Sequence, residues 1–192
     1  MSKISVCIAT FNGEKYISSQ LDSILNQVVP VHEIIISDDM STDNTIEIIK
    51  NCNNPIIKIF INKERLGVAK NFENAIKHAN GDFIFLCDQD DIWLKNKTQT
   101  FAKFFYLNKV LISNSYIVDN DLVKNEKTFF ELRDSSKKYI SNFIRFSFLG
   151  CCMAFPRCLV YKAIPFPSNQ KMCTHDNWLF LVLGFYKNFY VI

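Results

Sequence analysis

Phe83-Ile84-Phe85-Leu86-Cys87, followed at once by Asp88-Gln89-Asp90-Asp91, is the stretch on which the reading of this chain turns. Five apolar residues in a row fit a short, fully buried strand. Three carboxylates placed where such a strand leaves its sheet stand at the carboxyl end, the edge at which open α/β sheets bind ligands. Hard oxygen donors there suit Mg²⁺ or Mn²⁺ carrying a diphosphate. Asp88 and Asp90 are the expected ligands, since alternate residues of an extended segment project alike while Gln89 points away. A solvated acidic turn capping the next helix is the plain alternative, so the flanking segments have to decide.

Upstream, strand and helix alternate. Ile4 to Ala9 reads as a strand, and Ile17, Leu21, Ile24, Leu25 and Val28 form a helical stripe that Pro30 closes. Glu33 to Ser37 is the second strand, and Thr42 can cap a helix that carries Asp43 in its first turn and Ile46 and Ile49 on its inner face. Ile56 to Ile61 is the third strand. Val68, Phe72, Ala75, Ile76 and Ala79 repeat the helical stripe, which Asn80-Gly81 is expected to stop in the left-handed conformation. Strands separated by single helices imply right-handed crossovers and a mainly parallel sheet. Ala9 to Asn12, Asp38-Asp39 and Asp88 to Asp91 then converge on one edge.

The second half is less regular. Lys109 to Asp119 reads as a strand, Lys137 to Phe146 as a helix, Gly150 to Phe155 as a short buried strand, and Asp176 to Tyr186 as a nearly all-apolar helix followed by a strand. With 192 residues and no repeat, low-complexity tract or linker, one domain is expected over 1–192.

Hydrophobic residues make up 48% and charged residues 21%, which excludes disorder, and a net charge of +3 spread among acids gives no nucleic-acid footprint. No apolar run approaches the ~20 residues of a membrane span. Seven cysteines lack the paired spacing of a zinc site and read as reduced core thiols. The N-terminus enters a strand at once without a signal peptide, so a cytoplasmic location is expected.

Other motifs bear on chemistry. Five glycines build neither G-x-G-x-x-G nor a P-loop, so bound phosphates would need a metal for counter-charge. A carboxylate of Asp38-Asp39 can cap the turn or accept a base N–H or a ribose hydroxyl. Asp176, after a polar stretch and opening an apolar helix, is either a dipole-favoured first-turn acid or a positioned base, and His175 beside it reads as its neighbour.

Val6 to Gly13 (Val-Cys-Ile-Ala-Thr-Phe-Asn-Gly), Ser37 to Thr45 (Ser-Asp-Asp-Met-Ser-Thr-Asp-Asn-Thr), Arg65 to Phe72 (Arg-Leu-Gly-Val-Ala-Lys-Asn-Phe) and Cys87 to Trp93 (Cys-Asp-Gln-Asp-Asp-Ile-Trp) together resemble family 2 glycosyltransferases of the GT-A fold, in order and in spacing. With the later His-Asp-x-Trp, the chain is similar to bacterial rhamnosyltransferases that build O-antigen and other surface polysaccharides. The resemblance implies a Rossmann-like, mainly parallel α/β sheet flanked by helices, with 1–93 as the nucleotide-sugar-binding half and a less regular acceptor-side C-terminal half over 94–192. It implies metal-dependent, inverting transfer of a sugar, rhamnose from dTDP-rhamnose first and UDP-hexoses next, to a polysaccharide or lipid-linked saccharide. On this resemblance Ala9, Thr10, Phe11, Asn12, Glu14, Asp38, Asn71, Asp88 and Gln89 bind the donor, Asp38 at the base. Asp90, with Asp88, holds Mn²⁺ or Mg²⁺, and Asp176 is the catalytic base. Asp91, Trp93, Gly150, Cys151, Cys152 and His175 border the acceptor. Lipid-linked acceptors imply peripheral contact with the inner face of the cell membrane.

Met40 stands where the family usually has glycine, and the chain stops at Ile192 where family members usually continue into a segment with a further metal or phosphate contact. A non-catalytic nucleotide-sugar-binding module is therefore a second reading. A haloacid-dehalogenase-like phosphatase is a third, because Phe-Leu-Cys-Asp-Gln-Asp also resembles its strand ending in D-x-D. That family, however, places the motif near the N-terminus.

Overall fold

The computed structural model describes residues 2–119, 121–135, 148–167, 174–187 and 189–192. A seven-stranded sheet runs β3-β2-β1-β4-β8-β5-β9. Its first four members are β1 (Ile4–Thr10), β2 (Glu33–Asp38), β3 (Ile57–Ile61) and β4 (Phe83–Asp88), all mutually parallel. They are joined by α1 (Ile17–Leu25), α2 (Thr45–Asn51) and α3 (Val68–His78). On the far side, β8 (Met153–Pro156) lies antiparallel between β4 and β5 (Val110–Ile112), and β9 (Phe189–Val191) closes the sheet parallel to β5. The expected mainly parallel, helix-flanked sheet is observed.

Alternation along the strands divides the core by face. Cys7, Ile35, Ile84 and Leu86 pack with Phe72 and Ile76 of α3 and with Leu179, Phe180 and Leu183 of the late helix. Val6, Ile8, Ile34, Ile36 and Phe85 pack on the opposite face with Ile17, Leu21 and Ile24 of α1 and with Phe101. Each large side chain fully buried in this way contributes about 1.5–3 kcal/mol, which is why central strands with two covered faces read as continuous apolar runs.

Several boundaries differ from the expectation. The helix expected to reach Val28 ends at Leu25; Val28 is exposed, and its N–H donates to the Lys95 carbonyl. Thr42 does not cap α2: the helix starts at Thr45, whose N–H donates to Asp43 Oδ1, so Asp43 closes the turn. The helix before β4 does not end in a left-handed residue, because Ala79 is extended and Asn80 and Gly81 keep ordinary φ values. Gly81 is required for another reason: a Cβ there would meet the Ser5 backbone N at 2.8 Å and the Lys3 carbonyl at 2.9 Å.

The single strand expected over Lys109 to Asp119 is two. β5 enters the main sheet, whereas β6 (Tyr116–Val118) pairs with β7 (Lys124–Thr128) in a separate hairpin followed by α5 (Phe129–Arg133). The strand expected from Gly150 begins only at Met153, after a 3₁₀ turn over Gly150–Cys152. The helix expected over Lys137 to Phe146 lies outside the described residues. Between these elements run α4 (Lys97–Ala102) and α6 (Val160–Ala163), and α7 (His175–Lys187) precedes β9.

Candidate active site

The register of β1 against its two neighbours brings the chemistry together. Thr10 pairs with Asp38 and Ala9 with Asp88, so the carboxyl ends of β1, β2 and β4 open into one cavity of about 470 Å³. Ala9, Thr10, Phe11, Asn71, Asp88, Gln89 and Asp90 line it, and so do Asp39, one of the two acids left open between turn cap and base or ribose contact, and Arg65 and Phe72, which had been given no role in the site. A larger cavity of about 830 Å³ lies by Asp82, Phe83 and Pro156, at the amino-terminal end of β4. It is walled mainly by apolar groups, and its acid, Asp82, already accepts the Lys3 N–H. The carboxyl edge is therefore the chemically equipped one.

Asp38, expected at the base, is fully buried and bonded within the protein: Thr10 Oγ1 donates to Oδ2 (2.8 Å), and Ser41 donates from its backbone N (2.8 Å) and its hydroxyl (2.5 Å). It ties the ends of β1 and β2 together. The cavity wall is Asp39, one residue on and therefore turned the other way. Asp39 accepts the N–H groups of Leu66 (2.7 Å) and Gly67 (3.0 Å), Asn62 Nδ2 (3.1 Å) and Arg65 Nε (3.2 Å). Burial alone would raise its pKa, but these four donors hold it below the ordinary carboxylate value. Gly67, with φ 78° and ψ 163°, takes a conformation closed to L side chains, which lets successive N–H groups reach the carboxylate. The Arg65 guanidinium also lies 3.4 Å from the Phe11 ring centroid, a cation–π contact at the cavity mouth.

An amide network supports this wall. Asn71 Nδ2 donates to the Thr10 carbonyl (3.1 Å), Asn62 Nδ2 to Asn71 Oδ1 (2.9 Å), and Asn74 Nδ2 to both Ser37 Oγ and Asn62 Oδ1 (2.9 Å each). Gln89 does not point away. Its amide takes the Phe11 N–H on Oε1 (2.9 Å) and gives a hydrogen bond to the Phe11 carbonyl (3.1 Å), fixing that residue at the cavity. Asn12 and Glu14, expected on the donor, face the 41–44 loop. Asn12 Oδ1 accepts the Thr42 N–H (2.8 Å), and Glu14 Oε2 accepts Asn44 N and Nδ2 (3.0 Å each). Neither is among the residues lining the cavity.

At the end of β4 the acids separate. Asp90 is exposed on the cavity rim, whereas Asp88 and Asp91 are half-buried and bring a carboxylate oxygen each within 4.8 Å of the other and of Cys151 Sγ. Burial, then repulsion from Asp91 and Asp90, pushes Asp88 up to about 7. Burial likewise raises Asp91, against the pull of Lys97. A strand end where carboxylates resist their own charge fits a divalent cation, and the oxygen donors fit Mg²⁺ or Mn²⁺ better than a soft metal.

The expected acceptor residues gather beside this point. Cys151 and Cys152 border a small cavity of about 180 Å³ with Asp91, Trp93 and Lys97; Trp93 is buried against Phe85, and Lys97 lies over its ring at 4.3 Å and donates to the Cys151 carbonyl (2.8 Å). Gly150 lies against His175 and Asp176. His175 stacks on Phe72 with 4.5 Å between centroids; burial lowers its pKa, and Asp176 opposes that shift. Asp176 opens α7, with Oδ1 held by the Thr174 hydroxyl and the Asn177 N–H. Six cysteines are free thiols, and Cys173 lies outside the described residues. Among the described residues no helix is long and apolar enough to cross a membrane.

A sheet with helices on both faces and an acidic, amide-braced cleft at its carboxyl edge defines an α/β protein with its candidate site where open sheets of this kind bind ligands. The family model "Glycosyl transferase family 2" matches residues 5–164, and the chain belongs to that family. It is 31% identical over 185 residues to the dTDP-rhamnosyl transferase RfbG of Shigella flexneri, a match covering 90% of this chain and 63% of RfbG. It is also 31% identical over 137 residues to the Escherichia coli UDP-Glc:alpha-D-GlcNAc-diphosphoundecaprenol beta-1,3-glucosyltransferase WfgD, covering 67% of this chain and 54% of that protein. S. aureus TarS 1-349 in complex with UDP-GlcNAc superposes with a TM-score of 0.78 at 25% identity, over 99% of this chain and 56% of TarS 1-349. The fold is GT-A. The matches thus span between about half and two thirds of the length of these two relatives, 54% of WfgD and 63% of RfbG. Family membership removes the phosphatase reading.

Proposed function

We propose that this chain carries out metal-dependent, inverting transfer of a sugar from a nucleoside diphosphate to a saccharide hydroxyl. The observation that carries the reading is the single cavity joining Asp39, Arg65 and Phe11 at one end to Asp88 and Asp90 at the other. A base fits the first end: a ring N–H reaching Asp39 takes the place of Arg65, the outermost of its four donors, while the Phe11 ring offers a stacking face. The diphosphate fits the second. Asp90, with Asp88, would hold Mn²⁺ or Mg²⁺, which when bound offsets the charge on the departing diphosphate. Asp176 accepts the proton of the acceptor hydroxyl as that oxygen attacks C1 from the face opposite the nucleotide, so one displacement inverts the centre. The likeness to RfbG favours dTDP-rhamnose as donor, with UDP-hexoses next. The relatives' acceptors favour a lipid-linked or polysaccharide acceptor, met at the inner face of the membrane by peripheral contact.

The test is donor hydrolysis in Mn²⁺, with calorimetry of dTDP and UDP. Slow release of free nucleoside diphosphate is expected, and binding without release would leave a non-catalytic module. Asp90→Asn is expected to weaken nucleotide binding tenfold or more in Mn²⁺ and hardly at all in chelator, a difference of about 1.4 kcal/mol or more. Equal wild-type affinity with and without Mn²⁺ would remove the metal from the scheme.

A further inference from the structure

Asp90 belongs to two cavities. The second is a groove of about 390 Å³ walled by Lys15 and Tyr16 just before α1, by Ser19 in its first turn, by Ile92, and by the β6–β7 hairpin (Val118, Asp119, Leu122). Its volume is within the range of small-molecule sites. Four large apolar side chains, Tyr16, Ile92, Val118 and Leu122, stand 43% to 59% exposed around it, interleaved with Lys15 and the Ser19 hydroxyl. Apolar side chains scattered singly over a surface need no explanation, but four converging on one groove beside Asp90 do.

The turn of the hairpin is held by the Asp119 side chain. Asp119 Oδ1 accepts the N–H groups of Asp121 (3.0 Å) and Val123 (2.9 Å), so its charge is spent on the turn. Leu122 has φ 60°, a left-handed conformation that disfavours leucine and would suit glycine or asparagine. Strain of this kind persists where the surroundings over-determine it, and here it presents an apolar side chain to the groove beside Asp90.

We infer that this groove holds the non-reacting part of the acceptor, a pyranose ring packed on Tyr16 and against Leu122, with Lys15 and Ser19 addressing its hydroxyls or an attached phosphate. The inference rests on the transfer reading above and adds the acceptor's location to it. Three properties select a carbohydrate. A transferase has to bring both substrates to one point, and Asp90 is the group the two cavities share. A sugar ring offers an apolar C–H face and a polar edge, matching the mixed wall, and aromatic faces suit the former. An acyl chain would instead cover Lys15 and Ser19 without hydrogen-bonding them.

The experiment is an amide NMR titration of the whole chain with two probes, decyl α-N-acetylglucosaminyl diphosphate and decyl diphosphate, followed by the same titration of Tyr16→Ala and Leu122→Gly. The glycine variant relieves the left-handed residue and so protects the fold. The sugar-bearing probe is expected to shift amides of Lys15 to Ser19 and of Val118, Leu122 and Val123, and the sugarless probe to leave them unmoved. Each variant is expected to bind the sugar probe about five- to tenfold more weakly while its UDP affinity in Mn²⁺ stays within twofold. Shifts confined to other surfaces, equal responses to the two probes, or variant affinities within twofold of wild type would each overturn the assignment. Loss of UDP binding in the wild type would defeat the donor reading alone, since the sugar titration is scored without nucleotide.

Discussion

Replacing Asp39 by asparagine separates the two adjacent acids of β2. The carboxylate accepts four hydrogen bonds, two on each oxygen: Leu66 N and Asn62 Nδ2 on Oδ1, Gly67 N and Arg65 Nε on Oδ2. An amide of the same size keeps one oxygen and turns an NH₂ toward the remaining two donors. If the kept oxygen faces Leu66 and Asn62, the bonds from Gly67 and Arg65 are lost, and the Gly67 N–H has no acceptor. Hydrogen bonds to a charged group are worth about 1.5–3 kcal/mol each, but the Arg65 side chain is 55% exposed and regains water. A net loss of roughly 2–3 kcal/mol follows, which in a chain of this size lowers Tm by about 4–12 °C. Under the proposed base contact, Asp39→Asn also presents a donor to the base N–H, so calorimetry well below Tm should show dTDP and UDP affinity falling at least tenfold. Asp38→Asn breaks the bonds to Thr10 and Ser41 and should lower Tm comparably, yet it should leave nucleotide affinity within a few-fold. Unchanged affinity in folded Asp39→Asn, or a selective loss in folded Asp38→Asn, would refute the assignment of the base to Asp39.

Three further outcomes are expected. Asp176→Asn keeps the size and much of the capping ability of the first turn of α7, so transfer should fall about 10²–10⁴-fold with donor affinity and Tm retained; transfer within a few-fold of wild type would make Asp176 a structural cap. Glu33 is largely buried, which works against its charge, but Lys58, Ser5 and the Asn80 N–H lower its pKa from 4.5 to about 2. Its contribution of roughly 2–3 kcal/mol is thus complete above pH 4.5 and lost as pH falls toward 2; urea titrations should show the gap between wild type and Glu33→Gln closing over that window, and a gap independent of pH would contradict it. Met40 has φ 63°, so Met40→Gly should stabilise the fold by about 0.5–1 kcal/mol without changing nucleotide affinity, and a lower Tm would show that the methionine side chain contributes packing that outweighs its strain.

The parallel half of the fold was legible because its signals are local. Residues such as Val6, Ile8, Ile34 and Ile36 announce two-sided burial by composition alone, and Leu21 and Ile24 announce a helix face by spacing. Parallel connections then force the ends of β1, β2 and β4 onto one edge, so the position of the cleft followed from the order of elements. The second half was not legible to the same degree. Whether Lys109 to Asp119 is one strand or two depends on β8 arriving antiparallel from forty residues away, a partner that no local pattern specifies.

Within the site, the sequence determined which residue types arrive at the carboxyl edge, and tertiary structure decided which way each one faces. Asp38 and Asp39 are indistinguishable as letters. Pairing of Thr10 with Asp38 turns one into a buried tie between strands and leaves the other on the cavity wall, held by Gly67, Arg65 and Asn62 from the β3–α3 connection. Gln89, Asn12 and Glu14 became braces for the same reason: their partners lie 30 to 78 residues away along the chain and are adjacent only after the sheet has formed. Backbone periodicity and side-chain polarity are encoded residue by residue, whereas register and hydrogen-bond partner are properties of pairs, fixed only when distant segments meet.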